Sequence, residues 1–272
     1  MMLRRRPYAD VARRSRASIL PLAVMIVLVV VWEALARADT SRYHIIPAPS
    51  AILETMISTR ETLLTQHIPQ TMLETLIGLA LALALGLSVA ALLDFVPIIK
   101  RAVYPLLVIS QTIPIFALAA VLIIAFGFGI LPKVVVVILF CFFPITVATV
   151  DGLTGTDPDL VALLRAMGAS RAQIWRKVRF PAALPSFFSG LRLAATYSVT
   201  GAIAGEYITS QYGLGQYLRL ALNQSKNEQA FVAIVITSVL SIALVVIVNV
   251  VERIALPWYF TTAREWIEPG IY

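Results

Sequence analysis

Long apolar runs alternate with short polar segments along the whole chain. Six stretches are apolar enough, or nearly so, to cross a membrane as helices, which takes roughly 20 such residues each. They are 19–35, 71–93, 103–128, 134–150, 187–206 and 231–251. Pro114 lies inside the third, which predicts a kink there or an interfacial start. The first lacks a small-residue cleavage site and further spans follow it, so it reads as a retained helix and not as a signal peptide. Residues 47–59 read as a short amphipathic helix on the outer side, opened by Pro49 and Ser50. No internal repeat and no low-complexity segment is visible.

The polar segment 151–186 breaks this rhythm, because it is long and carries helical signals of its own. Asp157 and Pro158 suit an N-cap and first helical position. Leu160, Leu163, Leu164 and Met167 then recur at helical spacing, with Asp159 just before them and Arg165 between. Gly168 suits a helix end that needs positive φ, and Ala169 leads to Ser170, a cap for a second helix. In that helix Ile174, Trp175 and Val178 share one side, and Pro181 and Pro185 are expected to stop it before the fifth span. Two short amphipathic helices joined at a glycine fit a partner's groove. A hairpin lying on the inner leaflet, held by Arg and Lys, satisfies the same pattern.

Composition agrees with a membrane solvent. Of 272 residues, 59% are hydrophobic and 14% charged, against roughly 25% charged in soluble domains. Mean hydropathy is +0.86. The net charge of +7 comes from clusters between the spans. Arg4, Arg5, Arg6, Arg13, Arg14 and Arg16 precede the first span, Lys100 and Arg101 follow the second, and Arg165, Arg171, Arg176, Lys177 and Arg179 follow the fourth. With six spans these clusters share one face with Arg253 and Arg264, and the positive-inside rule makes that face cytoplasmic. The expected layout is a basic cytoplasmic arm over 1–18, a single permease domain over 19–252 and a cytoplasmic tail over 253–272. The arm reads as a topology determinant on anionic headgroups in preference to a nucleic-acid contact.

The segment "MGASRAQIWRKVRFPAALPSFFSGLRLA" resembles the cytoplasmic signature of binding-protein-dependent ABC importer permeases. Gly168, Val178, Phe180 and Pro181 carry the spacing of that signature. The usual Glu-Ala-Ala ahead of the glycine is here Ala162-Leu163-Leu164, which removes any contact relying on that glutamate. "SQTIPIFALAAVLIIAFGFGILPK", "FFPITVATVDGL" and "ATYSVTGAIAGEYI" extend the resemblance to the branch importing sulfonates, taurine, nitrate, bicarbonate, riboflavin and the hydroxymethylpyrimidine precursor of thiamine, and "SQTIP" and "CFFPI" lean to the pyrimidine and riboflavin members.

The resemblance implies an all-α type I permease fold in the bacterial inner membrane, with a coupling helix at Asp159–Ser170 and contacts continuing to Ile174 and Trp175. It implies two ATP-binding subunits, an external binding protein and a second permease copy, most simply as a homodimer. The chain has no GxxxxGK[ST] phosphate loop, so ATP and magnesium belong to the partner, and this chain carries no cofactor of its own.

Polar groups within spans are costly in lipid and mark pathway candidates. They are Gln111, Thr112 and Pro114 in the third span and Thr196, Tyr197, Thr200 and Glu206 in the fifth. Glu206 is expected near a wet outer mouth, Glu33 and Glu74 at span ends, and His44 and His67 on outer loops. Gly201 and Gly205 form a small-residue pair suited to close packing. A secondary transporter would need a carboxylate relay in mid-span, and an enzyme would need paired carboxylates or a Ser-His-Asp set; neither pattern is visible. An assembly scaffold is a third alternative.

Overall fold

The computed structural model describes residues 8–38 and 45–259, with side chains from residue 20 onward except that of Thr209. The arginines of the N-terminal arm, together with Asp39, Arg42, His44 and Arg264, fall outside these described side chains. Every regular element among the described residues is helical. In chain order they are α1 (Tyr8–Ala38), α2 (Pro49–Ser58), α3 (Arg60–Thr62), α4 (Ile68–Phe95), α5 (Pro97–Ser110), α6 (Ile115–Phe126), α7 (Ile130–Thr154), α8 (Pro158–Ala166), α9 (Arg171–Ile174), α10 (Phe180–Thr209), α11 (Leu214–Asn223) and α12 (Asn227–Ala255). Four helical segments are long and apolar enough to cross a membrane: Leu20–Ala38, Arg60–Phe95, Ile130–Thr154 and Asn227–Ala255. The pair α5 and α6 makes a fifth if counted as one span. At 30 residues α10 has the length of a sixth, though its polar and small residues make it the less apolar helix.

The third predicted span is not one helix. It breaks at residues 111–114, and its halves are bent by 98°. Pro114 has no N–H to continue the ladder, so the chain turns there before α6 begins. A second correction concerns Pro181 and Pro185, which do not stop the loop's second helix. The helix widens into a π turn over Trp175–Arg179 and runs on into α10, with Phe180 N–H bonding to Trp175 O. The same device recurs at Leu63–His67, where α3 passes into α4 and Ile68 N–H bonds to Leu63 O. In both places a proline follows at once, Pro69 and Pro181. A widened turn accommodates the carbonyl that an ordinary turn would drive into the proline ring.

Helix α7 is the centre of the bundle, packed between α4 and α10. Close approach requires the neighbours' small residues. A Cβ at Gly78 would lie 2.5 Å from Val137, and one at Gly190 would lie 2.5 Å from Pro144 O. Gly201 and Gly205 lie against Phe140 and Lys133 of the same helix, so their spacing serves packing. Ala82, Val137, Cys141, Ile145, Ala194 and Ala202 fill this seam. A second seam joins α10 to α12 through Phe188, Val199, Leu244 and Val248.

The α1 helix stands apart, with none of its apolar window buried. It is tied at its end. Glu33 accepts from Ser50 N at 3.0 Å, Ser50 Oγ at 2.7 Å and Arg37 Nε at 2.5 Å. Ala48, the N-cap of α2, offers no side-chain acceptor, and Glu33 does that work from another helix. Gly190→Leu is expected to destabilise the protein by about 1–3 kcal/mol through overpacking against α7. Gly155→Ala, at an ordinary φ and with looser neighbours, should stay within about 0.5 kcal/mol. Thermal unfolding in detergent reads both.

Candidate functional site

Three places gather the chemistry. The first is the polar loop, built much as its residue pattern predicts. Asp157 caps α8 by accepting from Asp159 N at 2.8 Å, and Pro158 is its first residue. Gly168 has φ +85, which lets Ala169 N–H bond back to Leu164 O. Ser170 and Gln173 then form a reciprocal capping box that starts α9. Along α8 only Val161 is buried, while Leu160, Leu163 and Met167 are 42%, 58% and 74% exposed. Leu164 is half-buried. The apolar stripe therefore faces away from the bundle.

The foot of this loop is firmly attached. Arg179 Nη1 donates to both oxygens of Asp94 at 2.9 and 3.1 Å. Trp175 stacks on Phe180 with centroids 5.1 Å apart and packs on Phe95 at 5.3 Å. These contacts join the π turn to the end of α4. Nearby, Tyr104 Oη donates to Asp151 at 2.7 Å and Lys100 bonds to Thr154, fixing α5 to the end of α7.

The second place lies at the opposite end of the bundle. Lys133 Nζ donates to Glu74 Oε1 at 2.9 Å and to Ser210 Oγ at 2.8 Å. Gln70 Nε2 also donates to Glu74, at 2.7 Å. Glu206 accepts from Thr71 Oγ1 and from Gly215 N, both at 2.7 Å. Thr71 in turn accepts from Leu214 N at 2.9 Å, and His67 Nδ1 lies 3.2 Å from Gly213 N. Gly213 has φ +108, and a Cβ there would collide with the Glu206 carboxylate. Glu74 and Glu206 are both 0% exposed. So Glu206 is enclosed and not open to a wet mouth, Glu74 is buried and not interfacial, and His67 belongs to a helix and not to a loop. The helices α4, α7 and α10 bring Glu74, Lys133 and Glu206 to one level, while His67, on the π turn ahead of α4, meets the backbone of Gly213. Composition hides this arrangement, because the partners lie up to 146 residues apart.

The third place is a hollow of about 200 Å³ where the break between α5 and α6 meets α7 and α10. It is lined by Gln111, Ile115, Leu139, Phe140, Phe143, Pro144 and Tyr197, and none of these is charged. Gln111 and Tyr197 are thus brought together, and Thr112 and Pro114 lie in the adjoining break. Thr200 lines a different groove, with Leu214, Ala233 and Thr237. Thr196 Oγ1 donates to its own helix, to Arg192 O at 3.0 Å.

Among the described residues, an all-helical fold with membrane-length helices, internal polar clusters and an exposed apolar loop defines a polytopic membrane protein. The chain belongs to the family described as binding-protein-dependent transport system inner membrane component, which matches residues 82–259. It is similar to the formylaminopyrimidine transport permease protein ThiX of Halalkalibacterium halodurans, 39% identical over 90% of this chain and 98% of that one. It is also similar to the riboflavin transport system permease protein RibX of Chloroflexus aurantiacus, 31% identical over 88% and 89% of the two chains. The taurine transport system permease protein TauC of Escherichia coli is 23% identical over 90% and 91%. The chain is a multi-pass inner-membrane permease subunit of an ABC importer, and ATP-binding and substrate-binding partners go with that family.

Lys133→Met would leave Glu74 buried without its cation, and is expected to cost about 3–5 kcal/mol. Adding Glu74→Gln should recover more than half of that loss. A double-mutant cycle by thermal unfolding in detergent measures the recovery, and purely additive losses would mean that the pair does not interact.

Proposed function

We propose that this chain works as a symmetric homodimer, carrying a flat, uncharged heterocycle of the pyrimidine or flavin type across the inner membrane. The observation that carries the substrate class is the hollow at Gln111 and Tyr197. Its aromatic and amide lining suits stacking and hydrogen bonding to a ring, and within one copy its volume matches a single pyrimidine ring, so a flavin would need the facing copy to complete the space. A sulfonate or nitrate site would call for a cation, and none lines this hollow. The likeness to ThiX and RibX supports the same reading. Exposed Thr196, Tyr197 and Gln111 would be costly against lipid, which favours a second copy facing them.

In this reading the termini and the loop are cytoplasmic, and the external binding protein meets the face that carries α2 and α11. The α8 stripe seats in a groove on the ATP-binding subunit, which supplies ATP and magnesium. Leu160, Leu163, Met167, Gly168 and Ala169 make the contact, with Asp159, Leu164 and Arg165 shaping the helix. Ser170 and Ile174 position the following turn, and Trp175 passes the movement to α4 and α10. Closing of the ATP-binding subunits would then act on two spans at once, through the Asp94–Arg179 pair and the Phe95–Trp175–Phe180 stack.

Uptake by proteoliposomes holding the whole importer tests the substrate class. Labelled aminopyrimidine or riboflavin is expected to accumulate with ATP and to be outcompeted by its own kind, but not by taurine. ATP-driven taurine uptake would overturn the assignment. For coupling, Leu163→Glu and Gly168→Pro are each expected to lower uptake per ATP hydrolysed at least about tenfold while insertion stays normal. Leu163 is already exposed, so its substitution leaves the fold intact. Unchanged coupling in both variants would remove the docking role.

A further inference from the structure

A pocket of about 170 Å³ opens at the foot of the loop, bounded by Asp94, Phe95, Arg165, Arg171, Trp175 and Arg179. Three arginines and one aspartate line it. Arg179 neutralises Asp94 directly, and among the described residues neither Arg165 nor Arg171 makes an ion pair. The pocket therefore carries about two uncompensated positive charges, on side chains that belong to two different helices, α8 and α9. Its level along the bundle is set by α4, whose apolar run ends at Phe95. Phe95 and Trp175 are aromatic residues of the kind that settle at a membrane–water boundary. Three residues to either side of Phe95 in the chain, Leu92 at the end of α4 and Ile98 at the start of α5 are 49% and 77% exposed.

We infer that this pocket binds the headgroup phosphate of an anionic phospholipid, whose acyl chains lie along Leu92, Phe95 and Ile98. Arg165 and Arg171 hold the phosphate oxygens through their planar forks, which suit a phosphodiester better than a point charge does. The site commits to a lipid because it combines cations with an apolar surface at the level where headgroups lie; a soluble phosphate would have no use for the exposed Leu92 and Ile98. One consequence follows for the loop. Helix α8 rests on the bundle chiefly through Val161, and a phosphate bridging Arg165 to Arg171 ties it to α9 and the end of α4. Lipid composition would thereby set how stiffly the loop transmits force. This step rests on the assignment of the loop to the inner leaflet, but binding itself is measured on the permease chain without any ATP-binding subunit. Its failure is therefore distinct from a failure of the coupling role.

The test is native mass spectrometry of the purified full chain in detergent, titrated with phosphatidylglycerol and, separately, phosphatidylcholine. The wild type is expected to retain phosphatidylglycerol preferentially. The variant R165Q/R171Q should lose that preference about fivefold to tenfold, R165K/R171K should recover part of it, and the charge-matched control K177Q/R253Q should keep it. Equal losses in R165Q/R171Q and the control would reduce the effect to general surface charge and overturn the site. Displacement of the lipid by inorganic phosphate at similar concentration would assign the pocket to free phosphate and overturn it too. Weakened capture of the ATP-binding subunit by R165Q/R171Q with unchanged lipid preference would hand the pocket to a partner's carboxylate, again against the proposal. Monodisperse elution of all variants on size exclusion shows that they are folded.

Discussion

Lys133 sits between Glu74 of α4 and Ser210 at the end of α10, and α7 carries it. A lysine enclosed at this depth is tolerable only because it reaches a carboxylate and a hydroxyl, and two carboxylates are tolerable only because a cation and several N–H and O–H groups lie against them. The arrangement fixes the vertical register of three helices against one another. It also holds the chain from Ser210 to Gly215 in place, since Gly215 N and Leu214 N are both satisfied by this cluster. With α10 and α7 tied at one end, movement imposed at the other in the proposed coupling role would travel along them as rigid bodies. The small-residue seams at Gly78, Gly86 and Gly190 keep those bodies close enough to behave so.

At the opposite end a second polar tie, Asp94 to Arg179, fastens the loop's second helix to α4. Between the two ties α10 runs without interruption from the π turn at Trp175–Arg179. In the proposed coupling role, a proline-stopped gap would dissipate motion, whereas a helix that widens around Pro181 and continues would deliver it to the middle of the bundle. The break at residues 111–114 has the reverse character. It leaves Gln111 beside Tyr197 and opens a hollow where a straight helix would have filled the space.

Much of this was legible from the chain. The apolar runs place the spans, and the Asp157, Gly168 and Ser170 signals give α8 and α9 nearly residue by residue, because caps and positive φ are local requirements. The Gly201–Gly205 spacing reads correctly as packing. What escaped was non-local. Nothing near Glu74, Glu206 or His67 in sequence announces that they meet, and isolated carboxylates near span ends look interfacial. The continuation through Pro181 escaped for a different reason: a proline forbids an ordinary helical turn, and only the backbone reveals that a wider turn has absorbed it. The curvature at Pro114 was visible as a kink, but its size of 98° was not.

The central claim is that the exposed stripe of α8 is the surface through which a nucleotide-driven partner takes hold. The only native cysteine, Cys141, is buried, so a single introduced thiol can be read without background. Site-directed cross-linking of Met167→Cys to the ATP-binding subunit, in membranes with and without ATP, tests the claim most directly. The account predicts efficient cross-linking at position 167 that changes with nucleotide, and none from Leu222→Cys on α11. Equal cross-linking at both positions, or none at position 167 in an active importer, would contradict it.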